Sequence, residues 1–238
     1  MSKGQLSQRT ELLLLLAITA LAAFLRLYRL DSLPPGDGHD VAQYGVDALH
    51  ILAGARPVFL ESNFGREPLF SYLVALAYRG TGPGAYGIHL VSALAGIATV
   101  PAVWLAARAL FAEARRGRLA WLPLLAAYLS AVSYWHLNWS RVGLRVILVP
   151  LFAALIVWAL WRGFAAAEAR PAAWAAGGRG HLLAGALLGL SLYTYQAARL
   201  LPVLVLVAFV LRAFQQRRWT RADTAAVLLV AAAALVVA

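Results

Sequence analysis

Asp40 is the first side chain whose type and setting could do chemistry. It follows the proline- and glycine-punctuated run Pro34-Pro35-Gly36-Asp37-Gly38-His39, which cannot be helical, and opens a stretch of helical periodicity. A carboxylate held at a lipid–water boundary can accept a proton from an attacking hydroxyl. The same position suits a helix cap, because Gln43 follows three residues later in a variant of the capping box. Local sequence leaves both roles open. Tyr44 lies one helical turn beyond Asp40. Asp37 has an equal claim to the cap or turn, His39 reads as a polar loop residue, and Asp31 and Asp47 read as solvated carboxylates.

Arg66 sits in Asn63-Phe64-Gly65-Arg66-Glu67-Pro68, beside a glycine turn. Its fixed charge and forked donors suit a phosphate oxygen, and pairing with Glu67, Glu61 or a lipid headgroup is the alternative. The segment from Ser133 to Arg145 supplies Arg141 and Arg145, and Arg199 follows Tyr193-Thr194-Tyr195. Four arginines and an aspartate at one membrane surface would outline a lipid-phosphate site. Periodicity alone does not bring them together.

The elements that must position these residues are membrane helices. Of 238 residues, 62% are hydrophobic and 13% charged, against about a quarter charged in a soluble domain. The formal net charge of +11 does not indicate nucleic-acid binding, because the basic residues punctuate apolar runs instead of coating one surface. The absence of cysteine excludes disulfides, thiol catalysis and thiolate-bound metals.

Seven segments approach the roughly 20 apolar residues that cross a bilayer: Leu12–Tyr28, Ala85–Phe111, Leu119–Trp135, Val146–Trp161, Leu182–Tyr195, Leu200–Leu211 and Thr224–Ala238. Lys3 and Arg9 precede the first, which reads as an uncleaved helix with a cytoplasmic amino terminus. An eleven-residue run, Pro68–Tyr78, is short for a span. Treating it as an interfacial or re-entrant helix keeps most basic residues, Arg115, Arg116 and Arg118 among them, on the cytoplasmic side. An outer loop of residues 29–84 then holds six of the ten acidic residues: Asp31, Asp37, Asp40, Asp47, Glu61 and Glu67. Within it Asp40–Ala53 reads as an amphipathic surface helix with Val41, Gly45, Ala48 and Leu52 on one face. Residues 162–180 read as a cytoplasmic linker. The apolar run to Ala238 has no polar tail and reads as the front part of a longer protein. The expected fold class is an all-α polytopic bundle.

In order along the chain, these features resemble the amino-terminal half of a GT-C-type integral-membrane glycosyltransferase. The branch is glycosyltransferase family 39, that of protein O-mannosyltransferases and bacterial aminoarabinose transferases. The resemblance spans nearly all of residues 9–238 and rests on several elements in sequence. The first helix ends in Leu25-Arg26-Leu27-Tyr28, and Asp40 has a tyrosine, Tyr44, four residues on. Then come Arg66-Glu67-Pro68-Leu69-Phe70-Ser71-Tyr72, a long span containing Ser92-Ala93-Leu94-Ala95-Gly96, and Ser140-Arg141.

The resemblance implies transfer of a sugar from a polyprenyl-phosphate donor, with inversion, to a protein, lipid or glycan acceptor. The reaction would take place on the outer face of a bacterial plasma membrane. By it Asp40 would be the general base, Arg66 would bind the donor phosphate and Arg141 would help neutralise it. Two positions depart from the family pattern. Val41 stands where a second acid commonly follows Asp40, and Val142-Gly143-Leu144-Arg145 lacks an acid after Ser140-Arg141. With those oxygens missing, no metal requirement is expected.

The rival classes are a transporter or flippase and a non-catalytic membrane scaffold. Transporters place ionisable groups at the bilayer midplane. Here the last five apolar segments carry no charged residue, which favours surface chemistry over translocation, and the missing acids keep the scaffold reading open.

Overall fold

A computed structural model of the chain describes residues 7–33, 37–62, 65–112, 119–169, 177–217 and 219–238. Lys3, Pro34–Gly36, Asn63, Phe64, Arg115, Arg116, Arg118 and the 170–176 stretch of the expected linker lie outside the described residues. Among the described residues the fold is all-helical, with only an isolated bridge between Leu60 and Arg66. The α-helices are α1 (Gln8–Leu27), α2 (His39–Leu52), α3 (Leu69–Thr81), α4 (Ala85–Leu110), α5 (Leu122–Val132), α6 (Tyr134–Arg141), α7 (Leu148–Ala169), α8 (Gly178–Ser191), α9 (Leu201–Gln216) and α10 (Arg221–Val237).

Among the described residues four helices are long and apolar enough to cross a membrane: α1, α4, α7 with its leading turn from Arg145, and α9 with its leading turn from Gln196. Helix α5 is a shorter apolar helix. Three of the seven expected segments take other forms. Leu119–Trp135 is not one helix, because α5 stops at Val132 and α6 starts afresh at Tyr134. Helix α8 has 14 residues and α10 has 17, both under the roughly 20 that span a hydrocarbon core. The expected linker is largely helical where it is described, since α7 continues to Ala169 and α8 begins at Gly178. The run Pro68–Tyr78 is α3, too short to span.

Helix α4 is apolar on every side, which calls for a central position. In α4 61% of the apolar window is buried, against 17% in α1 and 22% in α9. Its early residues Ile88, Val91 and Ala95 join a core with α2, α3 and α7, while Val100 and Trp104 pack with Ala22 of α1 and Leu124, Ala127 and Ala131 of α5. Helix α8 packs closely on α7 and α10 through glycines, the small-residue contact of membrane helices. A Cβ on Gly185 would overlap the Val230 carbonyl and meet the Ala233 side chain. Gly185→Val is therefore expected to destabilise by about 1–3 kcal/mol through overpacking, read as a lower unfolding midpoint in detergent. A midpoint equal to wild type would mean that α8 and α10 are not in contact.

Candidate functional site

The helix carrying Asp40 begins differently from the capping-box expectation. Gly38 is the N-cap of α2 and makes no side-chain cap; Asp40 is an exposed residue of the first turn. Gln43 instead donates to Asp47 Oδ1 at 3.2 Å. The buried face comprises Val41, Tyr44, Gly45, Asp47, Ala48 and Ile51, so Ile51 and not Leu52 completes it.

Asp47, expected in solvent, is buried. Its Oδ2 accepts from Arg66 Nη2 at 2.6 Å, and both side chains are nearly inaccessible. The loop before α3 fixes Arg66 from both ends. Its backbone N–H and C=O pair with Leu60, Gly65 supplies the left-handed turn at φ 87°, and its guanidinium also donates to Ser62. The guanidinium lies 5.2 Å over the Tyr44 ring, and its Nη1 has no hydrogen-bond partner among the described residues.

Glu67, also buried, gathers the next two cations. Its Oε2 accepts from Arg145 Nη1 at 2.8 Å, and Oε1 lies 3.5 Å from Arg199 Nη2. Arg145 additionally lies 5.3 Å over the Tyr195 ring. The start of α3 is tied to the same region by Leu69 N–H donating to the Tyr193 carbonyl at 3.0 Å. Arg199 remains exposed, whereas Arg145 is mostly covered. The Tyr44 phenol reports how these groups converge. Burial pushes its pKa up; Arg145 lowers it, Asp40 raises it, and Arg66 and Tyr195 act in the same opposed senses. Asp40, Tyr44, Arg66, Glu67, Arg145 and Arg199 thus share one end of the helical bundle.

Arg141 does not join them. It donates to the carbonyls of Leu25, Arg26, Tyr28 and Leu33 at 2.8–3.0 Å, closing the carboxyl end of α1. Sequence reasoning also passed over Arg26, a lone charge inside an apolar run, which was itself a signal. It is fully buried and donates to the Ala22, Ser130 and Ala131 carbonyls and to His136 Nδ1, the last at 2.8 Å. Because Arg26 can only donate, Nδ1 must accept, which places the neutral ring's proton on Nε2. Asp37 is likewise held, its Oδ1 lying 2.8 Å from His89 Nε2 on α4. Among the described residues no three His, Asp or Glu side chains are grouped to hold a metal ion.

Burial, reinforced by the Arg26 charge, lowers the His136 pKa from 6.5 to about 4. Between those values the unfolded chain takes up a proton that the folded chain refuses. Stability is therefore complete above pH 6.5 and falls as the pH drops toward about 4. The unfolding midpoint of wild type should decline over this window relative to His136→Asn, and parallel curves would contradict the buried neutral ring.

What the fold defines is an all-helical protein carrying helices of membrane-spanning length and apolarity. No protein-family model, curated protein or solved structure matches the chain.

Proposed function

We propose that this protein is a membrane glycosyltransferase that moves a sugar from a polyprenyl-phosphate donor to an acceptor hydroxyl or amine. In this reading the acceptor attacks the anomeric carbon, and the carbon–oxygen bond to phosphate breaks with inversion. The polyprenyl phosphate leaves with the bonding electrons, and Asp40 takes the acceptor proton. Arg145 and Arg199 hold the phosphate as its charge grows, with Glu67 fixing the two guanidiniums side by side. Arg66 keeps its partner Asp47 and shapes the site beneath Tyr44.

The observation that supports this reading is the grouping of the exposed Asp40 carboxylate, the Tyr44 phenol and two guanidiniums held by one buried carboxylate, at one end of the bundle. The chain would cross a bacterial plasma membrane about seven times, the short helices α5, α8 and α10 counted with the four long ones, and its amino terminus would be cytoplasmic. Support for that orientation comes from Arg108, Arg162, Arg179, Arg212, Arg217 and Arg221, which lie toward the other end of their helices.

Membranes containing the chain would be given polyprenyl phosphate carrying a labelled sugar, with wild type compared to Asp40→Asn. Consumption by wild type alone is the expected result. Equal consumption removes Asp40 as base, and label that crosses the bilayer without being consumed points to a flippase.

A further inference from the structure

The opposite end of the bundle has its own unassigned cations. Helix α1 starts there, α4 and α7 finish there, and α8 begins there. Gln8, Leu12, Trp104, Leu105, Arg108, Trp158 and Arg162 line a cavity of about 420 Å³ between α1, α4 and α7. A second cavity of about 250 Å³ lies between α7 and α8, and Arg162 lines it too, together with Arg179 and Leu183. Arg162 therefore stands between the two.

Elsewhere in the bundle arginines have close acceptors: Arg66 has Asp47, Arg145 has Glu67, Arg212 has Glu168 and Asp223, and Arg26 and Arg141 have backbone carbonyls. Among the described residues Arg162 has no carboxylate partner, and it lies 5.1 Å over the Trp158 ring. Arg179, exposed in the first turn of α8, adds a second cation with no carboxylate partner among the described residues, where the first backbone N–H groups of a helix also lie. Arg108 is held by Glu11 and stacks over Trp104 at 5.0 Å. Arg108 and Arg162 thus share one cavity and Arg162 and Arg179 the next, and Arg108 and Arg162 each stack on a tryptophan. Tryptophan settles at the headgroup level of a bilayer, and arginine binds phosphate oxygens through forked donors.

We infer that Arg162 and Arg179 form a site for the phosphate diester of an anionic phospholipid, with Arg108 at its edge and Leu12, Leu105 and Leu183 against the acyl chains. Nothing in this assignment depends on sugar transfer at the other end.

The test uses the full chain in neutral detergent and counts retained lipid by native mass spectrometry. Three probes are titrated separately: dioctanoyl phosphatidylglycerol, dioctanoyl phosphatidylcholine and inorganic phosphate. Wild type should retain phosphatidylglycerol in preference to phosphatidylcholine. Loss of either Arg162 or Arg179 to alanine should weaken that binding about tenfold. Both side chains are exposed, so the variants should fold, and Arg79→Ala near the other end should bind as wild type does. Phosphatidylcholine binding equal to phosphatidylglycerol, or no effect of Arg162→Ala with Arg179→Ala, overturns the site. Inorganic phosphate bound as tightly as the lipid overturns the lipid assignment.

Discussion

Asp47→Ala is expected to lower stability by about 3–5 kcal/mol, because it strands the buried Arg66 charge. The two side chains are 3% and 4% exposed, so water cannot replace the lost carboxylate without opening the loop before α3. The loss spreads further. Asp47 also accepts from Gln43 and Ser62, and Arg66 covers the Tyr44 ring, so α2 and the Leu60–Arg66 bridge loosen together. Replacing both partners with apolar residues, Asp47→Leu with Arg66→Met, should recover most of the stability, since neither charge is then buried alone. The unfolding midpoints of the three proteins in detergent test this. If Asp47→Ala is no worse than Asp31→Ala, whose side chain is exposed, then Arg66 is in contact with water and the pair is not a buried one.

That ion pair also shows what sequence can and cannot convey here. The apolar runs that become α1, α4, α7 and α9 are legible because each carries its own signal, a long apolar stretch with charges only near its ends. The end of α5 is not legible. Its apolar run continues to Trp135, but the helix stops at Val132, with its last carbonyls facing Arg26, more than a hundred residues earlier. Asp47 looked solvated because its partner lies 19 residues away across a loop. Arg141 carried a charge of the right sign for phosphate, yet whether an arginine meets a ligand or a helix end depends on which helix end lies beside it. The grouping of Asp40, Tyr44, Glu67, Arg145 and Arg199 was readable as a list of types. Their convergence needed the pairing of Glu67 with both arginines, which no spacing encodes.

The same distinction between arginines sets the second large effect. If sugar transfer runs as proposed, Asp40→Asn should lower the rate of the chemical step by about 10²–10⁴, the usual contribution of a positioned general base. The amide has nearly the shape of the carboxylate and sits on the exposed first turn of α2, so the unfolding midpoint should move little. Arg199→Ala should act on the donor instead. Its guanidinium is 69% exposed and held only at 3.5 Å by Glu67, so its removal leaves no buried charge unpaired. Donor affinity should fall about ten- to a hundredfold with stability kept, because a charge-assisted hydrogen bond to phosphate is worth about 1.5–3 kcal/mol. Arg141→Ala should show the reverse pattern. It uncaps the carbonyls at the end of α1 and lowers the midpoint, while donor binding follows the folded fraction alone. Measuring donor binding and the unfolding midpoint on the same three variants separates ligand contacts from scaffold contacts. A donor-binding loss in Arg141→Ala larger than its unfolding explains would return Arg141 to the phosphate site. An Arg199→Ala protein that binds donor normally would remove Arg199 from it.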